Sequence, residues 1–86
     1  MIIKFHKKFL KQFKRLDASV KASFAIRRDL FLSSPKHSLL SDHSLHGDYA
    51  GHRSFNVTGD YRLIYKILDA HTVLFYAIGT HSELYE

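Results

Sequence analysis

The spacing of apolar residues changes character twice along the chain. Ile2, Ile3 and Phe5 form a short run of β-branched and aromatic residues, which predicts a strand over 2–5. From His6 to Leu16 the apolar positions are Phe9, Leu10, Phe13 and Leu16, separated by the threes and fours of one helical face. Lys7, Lys8, Lys11, Lys14 and Arg15 occupy the remaining surface of that helix. Asp17 can cap a second helix, whose apolar residues are Val20, Phe24, Ile26, Leu30 and Phe31. Ser33-Ser34-Pro35 ends it, because proline restricts the residue before it and donates no backbone hydrogen bond. Two amphipathic helices with a short joint make a helical hairpin.

Residues 34–50 show no period and are expected to form a loop. The period then becomes two. Phe55 and Val57 alternate with Ser54 and Asn56, and Tyr61, Leu63, Tyr65 and Ile67 alternate with Arg62, Ile64, Lys66 and Leu68. Thr58-Gly59-Asp60 and Asp69-Ala70-His71 are turn sequences, and Val73 to Ile78 is a third strand. Gly79 is expected to end that strand, leaving 82–86 as a tail. The order is β-αα-βββ. Three strands joined by tight turns form an antiparallel meander, and the helix pair covers one face. The expected fold is therefore a two-layer α+β domain over residues 1–86.

Charge divides the chain. Of 86 residues, 13 are Lys or Arg and 8 are Asp or Glu, a net +5. Ten basic and two acidic side chains fall in residues 1–36, while six of the seven histidines come later. A cationic first part points to nucleic acid or an acidic partner. With no cysteine, a disulfide scaffold, a cysteine zinc site and a thiol nucleophile are excluded. That composition suits a reducing cytoplasm. No apolar run approaches the roughly 20 residues of a membrane-spanning helix, and no membrane partner is expected.

Candidate chemistry follows from the later half. Arg53 and Arg62 lie on strands that pair across a short turn, and a guanidinium fork suits phosphate. His43, His46, His52 and His81 can exchange protons near neutral pH. That is what metal-free RNA cleavage requires: a base for the 2′-hydroxyl, an acid for the leaving 5′-oxygen and a cation for the phosphorane. His43-x-x-His46 with Asp42 and Asp48 is a weaker zinc pattern. Tyr49, Phe55, Tyr61, Tyr65 and Tyr76 are candidates for stacking on bases or for packing in the core. Phosphate-loop, dinucleotide and nucleophile-elbow patterns are missing.

Four stretches occur in a telling order: Asp42-His43-Ser44-Leu45-His46-Gly47, Gly51-His52-Arg53, Gly59-Asp60-Tyr61-Arg62-Leu63-Ile64-Tyr65, and Ile78-Gly79-Thr80-His81-Ser82-Glu83-Leu84-Tyr85. Together they resemble the RelE/ParE toxin superfamily and its YafQ branch. The resemblance implies the toxin of a bacterial type II toxin–antitoxin system, a ribosome-dependent, metal-independent endoribonuclease that cuts mRNA and is neutralised by a cognate antitoxin. No cofactor is implied. By the same resemblance His43, Asp60, Arg62, His81 and Tyr85 are the catalytic candidates, and Arg53 and Tyr61 the RNA-binding ones. His81 would protonate the leaving oxygen, and His43, tuned by Asp60, would withdraw the 2′ proton.

The sequence departs from the YafQ pattern at Asn56, which stands where that branch has a catalytic histidine. Asparagine can hydrogen-bond a hydroxyl but does not exchange a proton near neutral pH. A nearby imidazole such as His52 is one substitute. Two other readings share the resemblance: a non-nuclease toxin of the ParE kind, which poisons gyrase, and a binding module with weakened catalysis.

Overall fold

The computed structural model describes residues 1–85. Strand β1 (Ile2–Phe5) leads into helices α1 (Lys7–Lys14) and α2 (Ala18–Ser33), followed by β2 (His43–Ser44), β3 (Arg53–Asn56), β4 (Tyr61–Asp69), β5 (Thr72–Thr80) and helix α3 (His81–Tyr85). The five strands form one sheet in the order β1-β5-β4-β3-β2. The meander β3-β4-β5 is antiparallel, as its turns require, and β2 extends it antiparallel. β1 joins the far edge parallel to β5, pairing Ile2 with Thr72 through Phe5 with Phe75.

Local sequence sets each helix. His6 caps α1, its Nδ1 accepting from the Lys8 N–H at 3.0 Å. Asp17 caps α2, accepting from the Val20 N–H at 3.0 Å. Phe9, Val20, Phe24 and Phe31 are buried against the sheet. Ile26, expected on the same apolar face, is instead 68% exposed. Its neighbours Phe24 and Phe31 already turn α2 toward the sheet, which leaves position 26 on the outer side.

The core is aromatic. The Phe75 ring lies 5.9–6.1 Å from those of Phe5, Phe9, Phe24, Phe31 and Phe55. Phe13 joins through Phe9 at 5.6 Å and Phe24 at 5.1 Å. All seven phenylalanines thus gather on the helix side of the sheet. Such edge and offset pairs add to the burial of apolar area. A smaller cluster of Leu45, Ile64, Ala77 and Leu84 covers the opposite face, with Tyr49 and Tyr76 against it.

Three features differ from the expectation. The loop 34–50 contains β2 and two short 3₁₀ turns, Ser38–Leu40 and Gly47–Tyr49, all below the length at which a period can be read. Gly79 lies within β5 rather than ending it. A Cβ there would meet the Glu83 and Leu84 side chains at 3.3–3.5 Å, so the glycine lets the chain fold closely back onto its own strand. The tail is helical over 81–85, and Glu86 lies outside the described residues.

β1 ends opposite Phe75, and beyond it the β5 backbone needs another partner on that side. Gln12 of α1 supplies it, its Oε1 accepting from the Ile78 N–H at 2.8 Å. Ile78 is 1% exposed, so water cannot replace the lost acceptor. Gln12→Ala is expected to cost about 1–3 kcal/mol. Thermal melts should show a fall in Tm of roughly 4–8 °C per kcal/mol. An unchanged Tm would contradict the role given to this bond.

Candidate active site

Strand alternation decides what each side chain faces. On β4, Tyr61, Leu63 and Tyr65 turn toward the helices and Arg62 and Ile64 turn away. Cross-strand partners share a face. Asn56 pairs with Arg62, Ser54 with Ile64, and His43 with Ser54, so these residues lie together on the face away from the helical hairpin. Arg62 in turn pairs with Gly79 of β5, and α3 begins two residues later. The result is a cleft of about 380 Å³ lined by Ser41, His43, Leu45, Ser54, Asn56, Arg62, His81 and Tyr85.

The His43 ring is oriented by the backbone. Its Nδ1 lies 2.9 Å from the Ser41 carbonyl, which can only accept, so Nδ1 carries a proton, and in the neutral ring the lone pair is on Nε2. Ser41 holds that carbonyl from a left-handed conformation, with φ 47° and ψ 42°. A serine in this region is uncommon, and such strain gathers at functional sites. The loop is fixed from beneath by Asp42, whose carboxylate accepts from Arg53 Nε at 2.7 Å and from the Tyr65 hydroxyl at 2.6 Å. Arg53 also donates to Ser44 Oγ at 2.8 Å. Burial, and then the bond to Asp42, push the Tyr65 hydroxyl well above its usual range.

The two arginines have different situations. Arg53 is spent on Asp42, which raises its pKa further, and it faces the helix side with Tyr65. Arg62 donates through Nη1 to the carbonyls of Thr58, Gly59 and Tyr61 at 3.1, 2.9 and 3.3 Å. Among the described residues no carboxylate pairs with it. Its cation is therefore oriented by backbone dipoles but not neutralised.

α3 brings the second imidazole. Thr80 and Glu83 form a reciprocal cap: the Thr80 N–H donates to Glu83 Oε1 at 2.8 Å, and the Glu83 N–H donates to Thr80 Oγ1 at 3.2 Å. His81 follows the cap, and its N–H donates to the Asp60 carbonyl at 3.2 Å. Tyr85, one turn on, packs its ring 4.8 Å from that of His81.

Of the seven residues singled out in the sequence, His43, Arg62, His81 and Tyr85 line the cleft. Asp60 does not line it, and its link to the site is the backbone carbonyl that holds His81. The partner of His43 Nδ1 is the Ser41 carbonyl, in the place expected for Asp60. Tyr61 packs against the aromatic core, and Arg53 lies on the other face. Ser41 and Ser54 are additions that the sequence reading lacked. Ser54 Oγ is fully buried with no hydrogen-bond partner among the described residues. Alternation outward from Asn56 carries a signal for Ser54; nothing in the sequence marks the left-handed turn at Ser41. Among the described residues no cluster of three His, Asp or Glu side chains is arranged for a metal, so the His43–His46 zinc pattern is not assembled.

Sheet and helical hairpin together form the two-layer α+β fold of the RelE/ParE-like toxins. The family described as the bacterial toxin of type II toxin–antitoxin systems, YafQ, matches residues 1–86, and the chain belongs to it. Crystalline YafQ from E. coli strain BL21(DE3) superposes with a TM-score of 0.81 at 24% identity, covering 98% of this chain and 97% of the other. YafQ in the E. coli DinJ–YafQ complex gives 0.73 at 26% identity, covering 98% and 97%. The YoeB/ParE toxin of Agrobacterium tumefaciens gives 0.78 at 19% identity, covering 94% and 99%. None of the curated proteins matches the sequence.

The cap that seats α3 is pH-dependent. The Thr80 backbone N–H, then its hydroxyl, hold the Glu83 carboxyl below its ordinary value of 4.5. A lowered carboxylate pKa contributes stability above the unfolded value, and that contribution disappears as pH falls through the folded one. In Glu83→Gln the acceptor remains but the titration is gone. The Tm difference between wild type and this variant is expected to be largest above pH 4.5 and to close as the pH drops further. A difference independent of pH would contradict the cap as described.

Proposed function

We propose that this toxin is an endoribonuclease that cuts mRNA by attack of a ribose 2′-hydroxyl on the adjacent phosphate. One observation carries the reading: two imidazoles from distant parts of the chain line the same cleft as a guanidinium that pairs with no carboxylate among the described residues. His43 Nε2 is the base for the 2′-hydroxyl. Arg62 stabilises the charge that develops on the phosphate oxygens. His81 protonates the departing 5′-oxygen, and Tyr85 orients His81 and packs against a base. Asn56 positions the 2′-hydroxyl by hydrogen bonding. Asp60 serves through its backbone carbonyl, and Arg53 acts as a positioning residue by holding Asp42 and Ser44. The products carry a 2′,3′-cyclic phosphate and a 5′-hydroxyl. Two imidazoles and a guanidinium supply acid, base and charge stabilisation, so the reaction requires no metal.

The lysines and arginines of residues 1–36 provide the attraction to RNA, and cutting takes place on the ribosome in the cytoplasm. Residues 1–86 act as one toxin domain. The complex of E. coli YafQ with DinJ supports an antitoxin as the partner of this chain too.

Losing a general acid or base costs about 10²–10⁴ in rate. His81→Ala and His43→Ala are each expected to lose that much mRNA cleavage, read by primer extension after induction, with unchanged thermal melts. Full cleavage by either folded variant would reject the assignment. DNA damage with no discrete mRNA cuts by the wild-type protein would instead favour a gyrase poison.

A further inference from the structure

A strip of rings leaves the cleft and crosses the sheet to α1. From His81 the ring centroids step to Tyr85 at 4.8 Å, to Tyr49 at 5.8 Å, to Tyr76 at 6.4 Å and to His6 at 4.8 Å. His52 lies between Tyr49 and Tyr76, 6.2 and 5.2 Å from them. Successive rings are tilted by 52–86°, so they do not form a stack among themselves. His81 and Tyr85 are exposed and the others are half-buried. Tyr76 has no partner in the β4–β5 register, where Tyr65 pairs with Phe75 and Ile64 with Ala77. A bulge of this kind re-aims a side chain. His52 Nδ1 is buried and has no hydrogen-bond partner among the described residues.

The far end of the strip is basic. Lys8 Nζ sits 5.1 Å from the Tyr76 ring centre. Beside it is a hollow of about 410 Å³ lined by His6, Lys7, Lys8, Lys11, Gln12 and Arg15, with no carboxylate among them. In sequence Asp48 neighbours Tyr49 and Glu86 neighbours Tyr85, and Glu83 is engaged with Thr80.

We propose that this strip holds the substrate strand on the 3′ side of the cut, as single-stranded RNA. The inference rests on the ribonuclease reading, and its direction comes from the chemistry. The acid protonates the 5′-oxygen of the nucleotide that follows the scissile phosphate, and the strip begins at that acid, His81. His43, which serves the nucleotide before the cut, is not on the strip. Aromatic faces bind bases without regard to sequence, and the lysine-lined hollow takes the phosphates. An acidic peptide would use the lysines but has no need of the rings. Ribosomal RNA shares the chemistry of the mRNA strand, and the test below separates the two.

Ribosomes are programmed with mRNAs that either stop just past the cut or continue several nucleotides further 3′, and cleavage is followed at limiting toxin. Wild type should cut the longer mRNA about tenfold faster or more, since each stacked base contributes on that scale. The ratio should fall toward one in the Lys8→Ala/Lys11→Ala variant, and in Tyr49→Leu with a melt matching wild type. A wild-type rate independent of 3′ length overturns the proposal. So do variants that slow both mRNAs equally, which would give the strip to ribosomal RNA. Failure of the wild-type protein to cut either mRNA rejects the ribonuclease reading, and the strip's role falls with it.

Discussion

The alternation of side chains across β3, β4 and β5 is the constraint on which the molecule depends. In a chain of 86 residues the same three strands must wall an aromatic core and furnish a polar cleft. They do both because successive residues face opposite ways. Leu63 and Phe55 pair on the core side; Arg62 and Asn56, their neighbours, pair on the cleft side. A slip of one residue would bury Arg62 among phenylalanines and expose Leu63, so the register is fixed by the cost of that exchange. Phe75 anchors the arrangement from β5, and the bulge at Tyr76 resets the alternation so that Ala77 and Gly79 underlie the second face.

The two strand arginines show how the same residue type takes opposite roles. Arg53 is neutralised by Asp42, and with Tyr65 the group fixes the backbone on either side of His43. Arg62 is held by three carbonyls and, among the described residues, by no carboxylate, which leaves its charge for an anion. A preorganised cation that needs no rearrangement as charge develops is what transition-state stabilisation requires. The pairing of Arg53 and the freedom of Arg62 follow from which face each strand position presents.

Much of this was legible in the residues. The helical spacing of Phe9, Phe13, Val20, Phe24 and Phe31 and the alternation from Phe55 to Tyr65 describe the hairpin and the meander. His43 and His81 belong to recognisable stretches and do share a cleft. What the sequence hid depends on contacts distant along the chain. The parallel pairing of β1 with β5 leaves no local period. β2 has two residues and α3 five, too few for any pattern. Tyr61 and Arg53 look like RNA contacts until the register turns them toward the helices. Asp60 looks like the tuner of His43 until the left-handed turn at Ser41 supplies a carbonyl in its place.

The convergence of the two imidazoles can be observed without the ribosome. A dinucleotide with a 2′-deoxyribose before its phosphodiester keeps the phosphate and cannot be cut. On titrating it into protein with labelled histidine rings, the His43 and His81 signals should move together, with one shared dissociation constant. His37 and His71, which lie outside the cleft, should stay in place. Movement of only one of the two, or of neither while another surface responds, would contradict the account.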